Sequence, residues 1–184
     1  WLIITMYYIL IIIVLGYMFK RYNPWFPTLP LYCNNEADEV LKISKSRTRS
    51  DEDFFNLTDL SVIHAFRDYG SIDKLNDILE KRWIYYLIMF TKHIINRPRP
   101  YQINKHIKYL QTKTGHTPAM PSGHAFQSYY LSHVLKKEYP NRSRELDYIA
   151  KRCDITRVKA GIHYPSDGKL SKDIIDFLIK IHLI

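Results

Sequence analysis

The chain has 184 residues, enough for one domain with a hydrophobic core and too few for two. Its 27 Lys and Arg residues exceed its 18 Asp and Glu residues, and the formal net charge of +9 favours anionic partners such as membranes or phosphorylated molecules. Nucleic acid is not an expected partner, because the sequence has no nucleic-acid-binding motif and no basic run with interleaved aromatic residues. Cys33 and Cys153 lie far apart and lack the spacing of a zinc site.

Residues 1–19 form an uncharged apolar segment that Lys20 and Arg21 follow directly. At about 1.5 Å per residue, a helix of this length approaches the ~30 Å thickness of the bilayer core. A signal peptide is the alternative, but its apolar region is usually shorter and no small-residue cleavage site follows here. A buried core helix is rarely apolar on every face. We therefore predict a single-pass transmembrane helix over residues 1–19, a linker and surface segment over 20–49, and a folded domain over 50–184.

The side of the membrane on which the domain lies stays open. Lys20 and Arg21 place it in the cytoplasm by the positive-inside rule. Asn56-Leu-Thr58 and Asn141-Arg-Ser143 would be glycosylation sites if the domain were lumenal.

Apolar spacing and capping residues divide the domain into helices. Ser50 and the acidic residues after it predict the start of a helix that ends at Gly70, and Ser71 is expected to cap the next one. Pro98 and Pro100 then stop that second helix, and Pro165 starts the last one. The predicted helices cover residues 50–69, 72–96, 122–138, 142–161 and the segment after Pro165, and residues 101–120 are expected to form a loop with at most one short helix. With no alternating strand pattern, the sequence predicts an all-α, irregular helical bundle.

Three short segments carry residues that suit a phosphoryl group. The first contains Lys92 and Arg99, which are seven residues apart and would point the same way on a helix. The second is Pro121-Ser-Gly-His124 at a predicted helix start, where unpaired amides and the helix dipole attract anions. The third runs from Arg157 through His163 to Asp167. Taken singly, each has an ordinary explanation as a solvated charge, a helix-entry turn or a structural histidine.

Taken together, the three segments fit the chemistry of phosphoryl transfer. Two histidines suit an attack on phosphorus and the protonation of a leaving group. Asp167 follows His163 by one helical turn and can accept its Nδ1 proton, which leaves Nε2 free to attack. The groups expected to hold the phosphate are the cations of Lys92, Arg99 and Arg157 and the backbone of Ser122 and Gly123.

These segments resemble the signature of the type 2 phosphatidic acid phosphatase (PAP2) superfamily, which includes lipid phosphate phosphatases, class A acid phosphatases and vanadium haloperoxidases. The signature is Lys, six residues and Arg-Pro; then Pro-Ser-Gly-His; then Ser-Arg, a gap, Gly-x-His, three residues and Asp. The chain matches all three parts in order, with Thr156 in the usual place of Ser. The resemblance implies a bundle of the PAP2 and haloperoxidase type. It also implies a nucleophile at His163, a general acid at His124, an orienting carboxylate at Asp167, and a phosphate site at Lys92, Arg99, Ser122, Gly123 and Arg157.

The expected activity is hydrolysis of a phosphomonoester or pyrophosphate through a phosphohistidine. No metal or other cofactor is expected, because no carboxylate cluster or His/Cys set remains once the phosphate site is assigned. One alternative is a vanadate-dependent haloperoxidase, which the small size of the chain disfavours. The other is a non-catalytic binder of phosphate or a lipid headgroup, which the presence of a complete acid, nucleophile and orienting Asp disfavours.

The substrate stays open at this stage. The predicted anchor favours a membrane-borne phosphate such as phosphatidate or a prenyl diphosphate, whereas the compact domain is similar to the class A acid phosphatases. Lys113 and His116, in the loop before Pro121, are further candidates for substrate contact. The remaining nearby cations and histidines are expected to be solvated or structural: His93, Arg97, His133 and Lys159.

Overall fold

The computed structural model describes residues 35–184, so the predicted transmembrane helix over residues 1–19 and the start of the linker lie outside the described residues. Within the described range, no helix is both long enough and apolar enough to cross a membrane. This range contains helices and no strand, which confirms the all-α class. The α-helices are α1 (Glu36–Lys45), α2 (Arg49–Thr58), α3 (Ile72–Leu79), α4 (Arg82–Ile95), α5 (Pro100–Ile103), α6 (Gly123–Glu138), α7 (Ser143–Lys159) and α8 (Pro165–Lys180). Two 3-10 helices, Val62–Tyr69 and Pro140–Arg142, complete the set.

Two helices predicted as continuous are each divided in the structure. The predicted helix over residues 50–69 becomes α2 and the first 3-10 helix, because the Ser61 hydroxyl accepts from the Ile63 amide and starts a new helix there. The start of α2 also lies earlier than Ser50: Thr48 accepts from the Asp51 amide, and the Asp51 carboxylate accepts from the Thr48 amide. The predicted helix over residues 72–96 divides into α3 and α4 at Lys81, whose backbone is extended.

Other helix boundaries agree with the sequence. The Ser71 hydroxyl accepts from the Lys74 amide and caps α3, as expected. Ser122 caps α6 in the same way, and Pro165 is the first residue of α8. These side chains supply local partners for the free amides of a helix start, which is why the sequence shows them clearly.

Helix α6 lies in the middle of the bundle and is buried on opposite sides. Leu131 and Leu135 pack with residues of α7 and the first 3-10 helix. Phe126 and Tyr130 pack with residues of α4 and α8. Since α6 is surrounded by its neighbours, its N-terminus at Gly123 is held at a fixed position among them.

Helices α7 and α8 approach each other closely at Gly168. A Cβ atom built on this glycine would lie 1.8 Å from Oδ1 of Asp154, so any other residue would force the Asp154 side chain or the helices to shift. This approach sets the start of α8, and therefore Asp167, against the end of α7.

Candidate active site

His163 and Asp167 form a buried, hydrogen-bonded pair at the start of α8. Nδ1 of His163 lies 2.9 Å from Oδ2 of Asp167, and the same oxygen accepts from the Tyr164 amide at 2.9 Å. On the other side of the ring, Nη1 of Arg99 lies 3.0 Å from Nε2 of His163. Because a guanidinium can only donate, Nε2 carries the lone pair and Nδ1 carries the proton. This is the tautomer that the sequence analysis expected.

Behind this pair, Asp167 is held by Arg97. The guanidinium donates to Oδ1 of Asp167 at 2.7 Å and to Oε2 of Glu36 at 2.6 Å, and it stacks on the ring of Tyr164. Glu36 also accepts from the amide and the hydroxyl of Ser166. Arg97 is therefore structural, as predicted, but its contacts reach the carboxylate that orients His163.

A cavity of about 250 Å³ brings five of the eight predicted site residues together. Its polar wall contains Lys92, Arg99, Gly123, His124 and His163. The rest of the wall is largely apolar and comes mainly from α3, α4 and the residue that follows Asp59: Leu60, Leu79, Ile84, Tyr85, Ile88 and Met89.

Lys92 and Arg99 reach this cavity by a route that differs from the predicted one. The sequence placed both on one helix, but α4 ends at Ile95 and Asn96 adopts a left-handed conformation with φ of 47°. Lys92 lies in the last turn of α4 and donates to the carbonyl of Pro118 at 2.6 Å. Arg99 follows the turn and donates to the carbonyls of Thr117 and Ile162. Backbone carbonyls therefore fix both cations beside His163.

His124 lies in the first turn of α6 and is held by the backbone of Asp59. Nε2 of His124 is 2.9 Å from the Asp59 carbonyl oxygen, so Nε2 carries a proton and donates it. The Asp59 side chain accepts from Thr112 Oγ1 and from the Lys113 amide. Asp59 thus connects His124 with the loop before α6.

Three predicted residues do not line the cavity. Arg157 is fully buried behind it, donating to Oδ1 of Asp59 at 3.0 Å and to Thr58 Oγ1 at 2.7 Å. Ser122 uses its amide to donate to the Asp167 carbonyl at 3.1 Å, and its hydroxyl caps α6. Asp167 does not line the cavity itself, and its contact with a cavity-lining residue is the hydrogen bond to His163. The roles of Arg157 and Ser122 in binding phosphate stay predictions, and their observed contacts are structural.

The sequence that contains these residues matches a known protein family. The family model described as the PAP2 superfamily matches residues 83–171, a segment that contains Lys92, His124, His163 and Asp167. The chain contains a PAP2 superfamily domain. Membership of this superfamily points to phosphatase-type activity. No individual curated protein matches the sequence.

Burial keeps both histidines of the PAP2 site neutral. It lowers the pKa of His163 well below 6.5, and the positive charges of Arg99 and Lys92 lower it further. Burial and the charge of Arg157 lower the pKa of His124 to about 3, which the hydrogen bond to the Asp59 carbonyl partly opposes. An unprotonated His163 is the form that can attack phosphorus.

The acidic groups of the PAP2 site are balanced by cations. Burial raises the pKa of Asp167 above its usual value. The charge of Arg97 and the hydrogen bond from the Tyr164 amide oppose this rise without cancelling it. Burial also opposes ionisation of Asp59, but hydrogen bonds from Thr112 and Lys113 and the charge of Arg157 hold its pKa below the usual value. Among residues 35–184, no group of three or more His, Cys, Asp and Glu side chains is placed to hold a metal ion.

The loop before Pro121 contributes different residues from those predicted. Thr114 and Thr117 line the cavity, whereas the side chains of Lys113 and His116 are exposed and do not. Glu36 and Asp59 are positioning residues that sequence reasoning missed, and it did not predict the contact between Arg97 and Asp167. The partners of these residues lie 53 to 130 residues away in the chain, so no local pattern marks them.

Proposed function

We propose that the protein hydrolyses a phosphomonoester or pyrophosphate without a metal ion, through a phosphohistidine at His163. One observation carries this proposal: Nε2 of the buried His163 accepts from Arg99, another residue of the cavity wall, while Nδ1 donates to Oδ2 of Asp167 over 2.9 Å. A non-catalytic phosphate binder has no need of an imidazole fixed in its nucleophilic tautomer.

The first step forms a nitrogen–phosphorus bond. Arg99 donates to Nε2 of His163, so a phosphate oxygen has to replace Nε2 as the acceptor of this hydrogen bond before Nε2 can attack. The bond from phosphorus to the leaving oxygen then breaks. Because His124 is neutral and donates its Nε2 proton to the Asp59 carbonyl, its Nδ1 takes a proton from the monoanionic phosphate of the substrate and passes it to the leaving oxygen. As the imidazole of His163 becomes positively charged, Asp167 stabilises it through the Nδ1 hydrogen bond.

The developing negative charge on the phosphoryl oxygens is stabilised by groups that are already in place. Lys92 and Arg99 are fixed by backbone carbonyls, and Gly123 begins α6, where helix amides lack intrahelical acceptors. Preorganised charges of this kind lower the barrier because they need not rearrange during the reaction. In the second step a water attacks phosphorus, His124 accepts its proton, and Nε2 leaves.

The membrane assignment is part of the proposal. Residues 1–19 would anchor the domain as a single-pass protein and favour a lipid-borne phosphate as the substrate. Protection of the domain from added protease in sealed vesicles would show on which side it lies. Turnover of phosphatidate compared with that of a soluble aryl phosphate would separate the two substrate sources.

The decisive experiment traps the intermediate. Wild type and His163→Ala are mixed with ³²P-labelled substrate, quenched within milliseconds in alkali, and mapped by peptide analysis. We expect acid-labile, alkali-stable label on His163 in the wild type and none in the variant. His116→Ala is the matched control, because His116 is exposed and does not line the cavity, and it should label normally. Label on another residue, or inversion at phosphorus, would refute the proposal. Peroxide-dependent bromide oxidation in the presence of vanadate, without phosphatase turnover, would favour the haloperoxidase.

A further inference from the structure

Helix α4 presents a row of apolar side chains to the outside of the domain. Tyr86, Phe90 and Ile94 follow one another at four-residue spacing, and their side chains are 63%, 67% and 49% exposed. Tyr85 is 61% exposed and contacts Tyr86 edge-on. Single exposed apolar residues are ordinary, but four adjacent ones on one helix mark an interaction surface. We call these four residues the aromatic face.

The aromatic face adjoins the mouth of the catalytic cavity. Tyr85 belongs to both, since it also lines the cavity. Leu60, from a different part of the chain, is also a lining residue and is 66% exposed. Apolar side chains from two segments of the chain are therefore exposed at this cavity.

Basic residues predominate in the segment that contains the aromatic face. From Lys81 through Lys137 the sequence has ten Lys and Arg residues and no Asp or Glu, and the exposed Glu80 directly precedes this segment. Lys81 and Arg82 are exposed at the start of α4, and Lys113 is exposed beside the cavity-lining Thr114. An exposed apolar row that begins beside two exposed cations, in a chain of net charge +9, matches an anionic lipid surface.

We propose that the aromatic face docks on the surface of an anionic lipid bilayer, with the cavity mouth directed toward the headgroups. Tyrosine and phenylalanine rings suit this boundary, because they bury apolar area while tyrosine hydroxyls stay near water. The contact holds the cavity against the layer that contains lipid headgroups. It requires no catalytic step, so it can be tested apart from the phosphatase activity.

Lipid contact can be measured at single positions in the full chain. Phe90→Cys and Phe177→Cys are each made in a Cys33→Ser background and labelled with a polarity-sensitive fluorophore. Cys153 does not interfere, because it is buried and burial raises the pKa of its thiol to about 12. Phe177 is the matched control: it is an exposed phenylalanine, 58% accessible, on α8 and outside the aromatic face.

Vesicles of phosphatidylcholine and phosphatidylserine in equal parts, with and without doxyl-labelled lipid, supply the quencher. We expect quenching at position 90 to be several times that at position 177, and to weaken at high salt as charge attraction is screened. Equal quenching at both positions would overturn the proposal, as would none at position 90. In that second case, energy transfer between labelled copies would show that a second copy covers the face. Absence of energy transfer would show that neither lipid nor a second copy covers the aromatic face.

A kinetic comparison then tests what the docking does. Phe90→Ser should raise the KM for a vesicle-borne phosphate about tenfold, the effect of withdrawing one phenylalanine from an apolar contact. Its kcat/KM for a soluble aryl phosphate should be unchanged, because Phe90 does not line the cavity. An equal loss on both substrates would contradict docking as the cause.

Discussion

Replacing Arg97 should destabilise the fold far more than replacing an exposed arginine with the same kinds of contact. Arg97 is fully buried, donates to Asp167 at 2.7 Å and to Glu36 at 2.6 Å, and lies 3.6 Å from the centre of the Tyr164 ring. Removing one partner of a buried ion pair costs about 3–5 kcal/mol, because the other charge stays buried without compensation. We expect Arg97→Ala to lower the free energy of unfolding by that amount. At about 2–4 °C per kcal/mol, the Tm should fall by roughly 6–20 °C.

Arg142→Ala is the matched control. Arg142 donates twice to Glu145, at 2.7 and 2.8 Å, and lies over the ring of Tyr69, but its side chain is 47% exposed. Exposed pairs of this kind contribute at most about 1 kcal/mol. Urea unfolding followed by circular dichroism would compare both variants with the wild type. Losses that agree within about 1 kcal/mol would refute the reasoning, since burial is the difference between the two sites.

Arg97→Ala should also change the pH dependence of catalysis. Without the charge of Arg97, the pKa of Asp167 rises further, because the cation that opposes the effect of burial is gone. Asp167 has to be ionised to hold the Nδ1 proton of His163. The acid limb of the kcat profile should therefore move to higher pH in Arg97→Ala. An unchanged acid limb together with lower stability would show that Arg97 supports only the fold.

Three further predictions concern the reaction. His124→Ala should lose about 10²–10⁴-fold in kcat with poor leaving groups and much less with p-nitrophenol, and an equal loss with both would argue against a general acid. Since burial lowers the pKa of His163 well below 6.5 and that of His124 to about 3, both histidines are neutral, and the proton that His124 passes to the leaving group has to arrive with the substrate. Because phosphomonoesters lose their last proton near about pH 6, kcat/KM should fall above that pH and follow the substrate's own pKa. A fall in kcat/KM at the same pH for all substrates would contradict this prediction. Finally, activity should survive a chelator and be inhibited by orthovanadate, which resembles the in-line transition state; loss in chelator that a divalent ion restores would contradict it.

The sequence predicted the parts of the fold that depend on local signals. Ser122 and Pro165 mark the starts of α6 and α8, because a capping hydroxyl and a missing amide proton act within one helical turn. The breaks after Thr58 and after Leu79 carry no Gly or Pro, so helical periodicity continued across them. They depend on how the neighbouring helices pack, which a single sequence does not show.

For the candidate site, the sequence predicted which residues come together better than it predicted how they are arranged. Lys92 and Arg99 both line the cavity, although the sequence analysis did not use Asn96, a residue type that favours the left-handed conformation at a helix end, to predict the turn between them. Arg157 was predicted to contact phosphate, yet it pairs with Asp59, a residue 98 positions earlier. Pairings over such distances are set by tertiary packing. The sequence therefore indicated which side chains meet around the site but not which of them are already occupied by other side chains.

The position of Glu36 has a practical meaning for anyone who shortens this chain. A fragment cut at residue 50, the boundary that hydrophobic spacing suggests, would discard α1 and with it the carboxylate that accepts from Arg97 and from Ser166. Such a fragment would keep every residue of the family signature and still lose part of the support behind Asp167. A purification tag joined directly to Glu36 could disturb the same contacts. Fragments intended for kinetics should therefore begin well upstream of this residue, even when the apolar segment at the N-terminus is removed.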